Sequence, residues 1–127
     1  MDEIGREAMS GIERLELELI VRDFFTILND GCIEDLLAFL TEDVVYKPSP
    51  RQAVTGRAAV IAMVSDIRTT FDEWKASLID VAVTGDVVLA ELALRVKLPI
   101  GPPEWLLSFA SFRLDGYRIS SWHQVHG

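Results

Sequence analysis

The segment from Val87 to Val96 most constrains the fold, because it is a long apolar strand whose side chains alternate between two faces. This strand and the next one along the chain form a pair with a glycine turn on either side, Gly85-Asp86 before it and Asp115-Gly116 after it. Pairs of Gly with Asp are typical of tight β-hairpins. The second half of the chain therefore predicts four hairpin-connected strands, at about 78–83, 87–98, 105–114 and 117–125.

The first half of the chain has helical periodicity instead. Apolar residues recur three and four apart in three segments, interrupted by one short strand-like run. The predicted elements are helices at 12–28, 33–40 and 58–70 and a strand at 44–47. Helices followed by hairpins predict an α+β fold, with about three N-terminal helices packed on one face of a curved antiparallel or mixed sheet.

The length of 127 residues predicts a single domain, here residues 11–127 preceded by a flexible lead-in at 1–10. No apolar run reaches the roughly 18 residues that a membrane span requires, so no membrane association is expected. The acidic N-terminus lacks the apolar stretch of a secretion signal. Cys32 is the single cysteine, which fits a reducing compartment. We therefore predict a cytoplasmic protein.

The net charge of −8 argues against nucleic acid as a partner, because phosphate binding requires a surplus of Lys and Arg. No glycine-rich phosphate loop is present. The two histidines, His123 and His126, are three apart and point to opposite faces of a strand, without a clear third ligand. Neither a metal nor a cofactor is expected.

Five short segments, in this order and spacing, resemble one superfamily. They are 42–46, 55–60, 88–91, 98–101 and 116–122. Together they resemble the NTF2-like superfamily, whose cone-shaped α+β fold includes SnoaL-type polyketide cyclases, ketosteroid isomerases and limonene-1,2-epoxide hydrolases. The likeness to the epoxide hydrolases extends over nearly the whole chain. It implies a cone whose interior, between helices and sheet, forms a pocket.

The resemblance also implies where hydrolase residues would fall. Those enzymes hold a water between two aspartates and an arginine, with a tyrosine and an asparagine assisting. Carried across, the tyrosine is kept at Tyr46 and the asparagine becomes Pro48. The arginine and the two aspartates become Leu92, Leu94 and Gln124. Because glutamine cannot accept a proton near neutral pH, the resemblance supports the scaffold and contradicts the hydrolase mechanism.

Strand alternation predicts the inner surface of the cone. If Leu92 and Leu94 face inward, Glu91 and Arg95 face outward. The expected ligand-binding residues are Tyr46, Leu92, Leu94, Phe109, Trp122 and Gln124. An apolar wall with few polar groups suits a small hydrophobic molecule. The alternative is that these residues form an ordinary filled core.

The candidates for catalytic groups are few: Tyr46, Gln124, His123 and Asp66. Tyr46 is a hydrogen-bond donor and Gln124 could hold a water or a carbonyl. His123 would act as a base only if a bulge turned it inward, and Asp66 only if its helix face were buried. The sequence therefore leaves open a divergent hydrolase, isomerase or cyclase, with a non-catalytic ligand-binding or structural dimerisation domain as the alternative.

The outer face of the sheet is the expected interface between subunits. Related folds commonly dimerise through the sheet, so the resemblance implies a homodimer. Trp74 and Trp105 flank the predicted sheet, and aromatic side chains are enriched at such interfaces. Either tryptophan is expected at the edge of the interface.

Overall fold

The computed structural model describes the backbone of residues 3–126 and the side chains of residues 11–126. Helices and strands alternate in the first half, and four strands follow. In chain order they are α1 (Glu3–Asp30), a 3-10 helix (Ile33–Phe39), β1 (Leu40–Ser49), β2 (Gln52–Thr55), α2 (Arg57–Thr70), β3 (Glu73–Thr84), β4 (Val87–Lys97), β5 (Glu104–Asp115) and β6 (Arg118–His126).

The strands form one mixed six-stranded sheet in the order β2-β1-β6-β5-β4-β3. β1 runs parallel to β6, and the other neighbouring strands are antiparallel. The described helices together with this open sheet confirm the predicted α+β class. The sequence did not predict β2, because its four residues carry no apolar alternation.

The two glycine turns were predicted correctly. Gly85 joins β3 to β4 with φ of 58°, and Gly116 joins β5 to β6 with φ of 61°. Both values lie in the left-handed region, which only glycine enters without steric cost. The hairpins therefore support the antiparallel pairing of β3 with β4 and of β5 with β6.

Alternation along β4 builds the core. Val88, Ala90, Leu92, Leu94 and Val96 are all buried, while the residues between them are partly or largely exposed. The opposite pattern would place the charged Glu91 and Arg95 in the core, so the register is strongly determined. Leu92 and Leu94 face inward as predicted.

Helix α1 covers the inner face of the sheet with its C-terminal half. Val21, Phe24 and Leu28 are at most 1% exposed. The helix begins at Glu3 rather than near Ile12, so most of the expected lead-in is helical backbone, whereas residues 1 and 2 lie outside the described residues. Ile12 is 59% exposed, so the first apolar residue of the predicted helix does not pack against the sheet.

Asn29, near the end of α1, is bound to the outermost strand β3. Its amide nitrogen donates to the carbonyl of Ala76 at 2.6 Å, and its amide oxygen accepts from the Ala76 backbone N–H at 2.8 Å. The side chain thus pairs with β3 as a neighbouring strand would, on the edge that β4 does not occupy.

Candidate functional site

The interior of the cone contains few polar groups. Among the side chains described, Ser108 and Gln124 are the buried polar ones, and no buried Asp, Glu, Lys, Arg or His is present. Ser108 lies on β5 opposite His126, and Gln124 lies on β6 opposite Ala110. Both side chains point toward the helices because their strand neighbours Phe112 and Ala110 do so.

A chain of hydrogen bonds joins these groups. The indole N–H of Trp122 donates to Oε1 of Gln124 at 3.0 Å, and Nε2 of Gln124 donates to Oγ of Ser108 at 3.1 Å. Oγ of Ser108 lies 3.1 Å from the carbonyl oxygen of Val125 and 3.0 Å from Nδ1 of His126. The network leads from the buried indole to an imidazole at the end of β6.

Tyr46 lies against the indole of Trp122, at the end of the network opposite His126. β1 pairs with β6 so that Tyr46 is opposite Trp122, and the two rings stack with centroids 4.0 Å apart. Burial raises the pKa of Tyr46 well above its ordinary value. Its hydroxyl therefore stays protonated, and it is not among the described buried polar atoms that lack a partner, of which Thr41 Oγ1 is one.

Aromatic side chains fill the space between Trp122 and α1. Phe24 makes an edge contact with Trp122 at 5.1 Å between ring centroids and another with Phe112 at 5.6 Å. Phe25 contacts Phe112 in the same way at 5.5 Å. Such pairs stabilise a core beyond the area that they bury. The wall beside the polar network is therefore apolar and closely packed.

The positions that would carry hydrolase chemistry are apolar. Leu92 and Leu94 are 0% and 2% exposed, and Gln124 uses both ends of its amide in the network. Within the part of the chain whose side chains are described, no three His, Cys, Asp or Glu residues are placed to hold a metal ion. The described side chains of the interior can donate and relay hydrogen bonds, but none of them is a buried carboxylate that could activate a water.

Two of the predicted site residues, Phe109 and Asp66, lie outside the cone interior. Phe109 is 48% exposed on the outer face, since Ser108 rather than Phe109 is opposite the inward Leu92. Asp66 is exposed on α2, where its carbonyl accepts hydrogen bonds from Thr69 and Thr70. The prediction placed Phe109 on the wrong face of β5, and the helix face of Asp66 is not buried, so the condition set for its role is not met.

No bulge turns His123 inward, so the condition set for its role as a base is not met. His123 is exposed on the outer face, where partial burial and then Lys47 and Arg113 lower its pKa. His126 belongs to β6 and is exposed at its end, where Nδ1 lies 3.0 Å from Oγ of Ser108. Sequence reasoning missed Ser108 and His126, although the alternation that placed Gln124 inward would also have placed His126 inward.

A cavity of about 390 Å³ lies on the outer face of the sheet, away from the network. Leu89, Phe109, Val125 and His123 line it. Two further cavities lie beside α1, and Tyr46, Leu92, Trp122 and Gln124 line none of the three. Of the predicted ligand-binding residues, Phe109 lines the outer cavity.

Comparison with protein families places this architecture. The family model of the SnoaL-like domain matches residues 21–122, from the buried face of α1 to Trp122 in the polar network. The chain belongs to the SnoaL-like domain family. No curated protein matches the sequence of this SnoaL-like chain.

Solved structures share the fold of this SnoaL-like domain. An NTF2-like protein of unknown function from Burkholderia pseudomallei K96243 superposes with a TM-score of 0.81 at 18% identity, covering 88% of this chain and 91% of that one. An LEH-like epoxide hydrolase from M. tuberculosis gives 0.79 at 17% identity, covering 91% and 85%. The epoxide hydrolase/cyclase-like enzyme SalBIII, concerned with pyran ring formation in polyether salinomycin, gives 0.79 at 20%, covering 89% and 92%. At these identities the likeness shows the fold alone.

One further result concerns membranes. In the described part of the chain, no helix is both long enough and apolar enough to cross a bilayer.

Proposed function

We propose that this SnoaL-like domain binds a small apolar molecule that carries a carbonyl or hydroxyl group, inside the cone and against Tyr46. The Tyr46 side chain is the observation that supports the proposal, because it is 5% exposed, stacks on Trp122 and presents a hydroxyl that stays protonated within an apolar wall. A ligand oxygen placed against this hydroxyl would accept a hydrogen bond from it. Since its pKa is raised, the hydroxyl remains a donor throughout the physiological pH range.

Binding, rather than epoxide hydrolysis, is the activity that these residues support. General-base activation of a water requires a group that accepts a proton within hydrogen-bond reach. Gln124 cannot do so, and its amide is already committed to Trp122 and Ser108. Entry of a ligand requires the aromatic side chains around Trp122 to move, because they pack closely in the described interior.

Thermal melts with matched ligands test the proposal. An apolar ketone such as 2-decalone should raise the melting temperature, and the hydrocarbon decalin should do so less. A ligand at 100 times its dissociation constant stabilises the folded state by about 2.7 kcal/mol. Tyr46→Phe keeps the ring and removes the hydroxyl, so ketone affinity should fall about fivefold, corresponding to roughly 1 kcal/mol.

The second tyrosine of the chain provides the control. Tyr117 is exposed, and its hydroxyl already donates to Glu16 at 3.2 Å. Tyr117→Phe should leave ketone binding unchanged. Equal affinities of Tyr46→Phe and the parent for the ketone would contradict the assigned role of Tyr46.

We also propose that the chain forms a homodimer through the outer face of the sheet. The support is an exposed apolar surface on β4, β5 and β6, formed by Leu89, Trp105, Leu107, Phe109 and Val125, each between 45% and 64% exposed. Apolar patches of this kind on a soluble domain mark interaction sites. A stable pair would bury about 800 Å² on each subunit.

Sedimentation equilibrium at micromolar concentration tests the dimer. Phe109→Asp places a charge at the centre of the apolar surface and should yield monomers. Leu37→Asp is the control, because Leu37 is an exposed leucine on the 3-10 helix, away from the outer face. A parent protein that sediments as a monomer would exclude this interface.

A further inference from the structure

The hydrogen-bond network also determines which of its atoms donate and which accept. The indole N–H of Trp122 can only donate, so the Gln124 atom that faces it at 3.0 Å must be the amide oxygen. The amide nitrogen of Gln124 therefore faces Oγ of Ser108 at 3.1 Å and donates to it. One lone pair of the Ser108 hydroxyl is thereby occupied.

The hydroxyl of Ser108 has two more neighbours and one proton. The carbonyl oxygen of Val125, at 3.1 Å, can only accept, so this contact is favourable only if Ser108 donates to it. Nδ1 of His126, at 3.0 Å, can donate or accept according to its tautomer. All three contacts are favourable in one assignment: Ser108 donates to Val125 and accepts from both Gln124 and Nδ1–H of His126.

We propose that Ser108 holds His126 in the Nδ1–H tautomer, so that Nε2 of His126 is a proton acceptor for a ligand hydroxyl at the rim of the cone interior. The site comprises His126 as the acceptor and Ser108 and Gln124 as positioning residues. Its ligand class is an apolar molecule with a weakly acidic hydroxyl, such as a phenol or an enol. The ligand rests on the proposed function, whereas the tautomer does not.

The surroundings of His126 agree with a neutral imidazole. His126 is exposed at the end of β6, yet desolvation by the atoms packed on its imidazole lowers its pKa, and no charged side chain among the described residues contributes to the shift. The imidazolium form would keep Nδ1–H on Ser108 but would lose the acceptor at Nε2. Binding of a hydroxyl should therefore weaken as the pH falls through the pKa of His126.

Long-range ¹⁵N–¹H correlation spectra of the two histidines test the tautomer in the free protein. His126 should show a protonated Nδ1 and an unprotonated Nε2 at pH 7.5. His123, exposed on the outer face, is the internal reference and should show the mixture of tautomers of a free imidazole. Ser108→Ala should return His126 to that mixture and leave His123 unchanged. A parent spectrum with His126 protonated at Nε2 would overturn the proposal.

Titration with phenol tests the acceptor. Phenol should shift the Nε2 signal of His126 at pH 7.5, and the shift should be lost in Ser108→Ala and at pH 4.5. Phenol that moves the Trp122 indole signal but leaves His126 unchanged would refute the inference and leave the proposed function standing. If phenol moves neither signal, the result would count against both the acceptor role of His126 and the proposed function, even if His126 has the assigned tautomer.

Discussion

Replacing Leu94 by Asp should make the stability of the fold depend steeply on pH. Leu94 is 2% exposed, and its strand neighbour Leu92 is 0% exposed, so a carboxylate at this position has no cation to meet it. A buried carboxyl group without a partner has a raised pKa, because burial disfavours the charged form. The folded variant therefore stays protonated where the unfolded chain is ionised.

The magnitude follows from proton linkage. Between the unfolded pKa of about 3.9 and the raised folded value, the native state binds one more proton than the unfolded state. The free energy of unfolding then falls by about 1.36 kcal/mol for each pH unit. From pH 5 to pH 8 the variant should lose up to about 4 kcal/mol, a large part of the 5–15 kcal/mol typical of a domain.

Leu94→Asn is the matched control, because it has nearly the same shape and polarity but does not titrate in this range. Urea unfolding at pH 5 and pH 8 should separate the two variants, with the Asp variant close to the Asn variant at pH 5 and far less stable at pH 8. Identical pH dependence of Leu94→Asp and Leu94→Asn would mean that residue 94 is hydrated, and the inward face of β4 would be wrongly assigned.

Three other outcomes are expected. Asn29→Ala removes both bonds to Ala76 and should lower the free energy of unfolding by about 1–3 kcal/mol in urea titrations, whereas the exposed Thr26→Ala should change it much less. Thr41→Val should stabilise the fold by up to about 1 kcal/mol in the same assay, because the buried Thr41 hydroxyl has no partner among the described residues. A loss of stability would mean that a water molecule hydrogen-bonds to the Thr41 hydroxyl. Limonene-1,2-epoxide should not be hydrolysed above background in a product assay, since no described carboxylate is buried; turnover that Tyr46→Phe abolishes would contradict this.

The hairpin half of the chain was predictable because local signals agree there. Gly85 and Gly116 fix the turns, and β4 alternates cleanly between buried apolar residues and exposed or charged ones. In β5 the signal fails, since Leu107 and Phe109 make the outer face as apolar as the inner one. Where both faces of a strand are apolar, the alternation does not indicate which residues point inward, and Phe109 was assigned to the wrong face.

The candidate site was less predictable, for a related reason. Ser108 is a small polar residue in an apolar run. Its role is recognisable only from its cross-strand position opposite His126. That register depends on the Gly116 turn and on the irregularity between Arg113 and Leu114. No local sequence pattern indicates this irregularity. The parallel pairing of β1 with β6 joins segments far apart in sequence and equally lacks a local signal.

The position of β6 between β1 and β5 determines the order in which the protein can fold during synthesis. Until residues 118–126 leave the ribosome, the sheet consists of two separate parts, β2-β1 and β5-β4-β3, each with an unpaired inner edge. Unpaired edges recruit strands from other chains. Tyr46 and Trp122 come together only when the last strand inserts, so the candidate site is among the last parts of the molecule to form. A nascent chain stalled before β6 would present two open edges and no site.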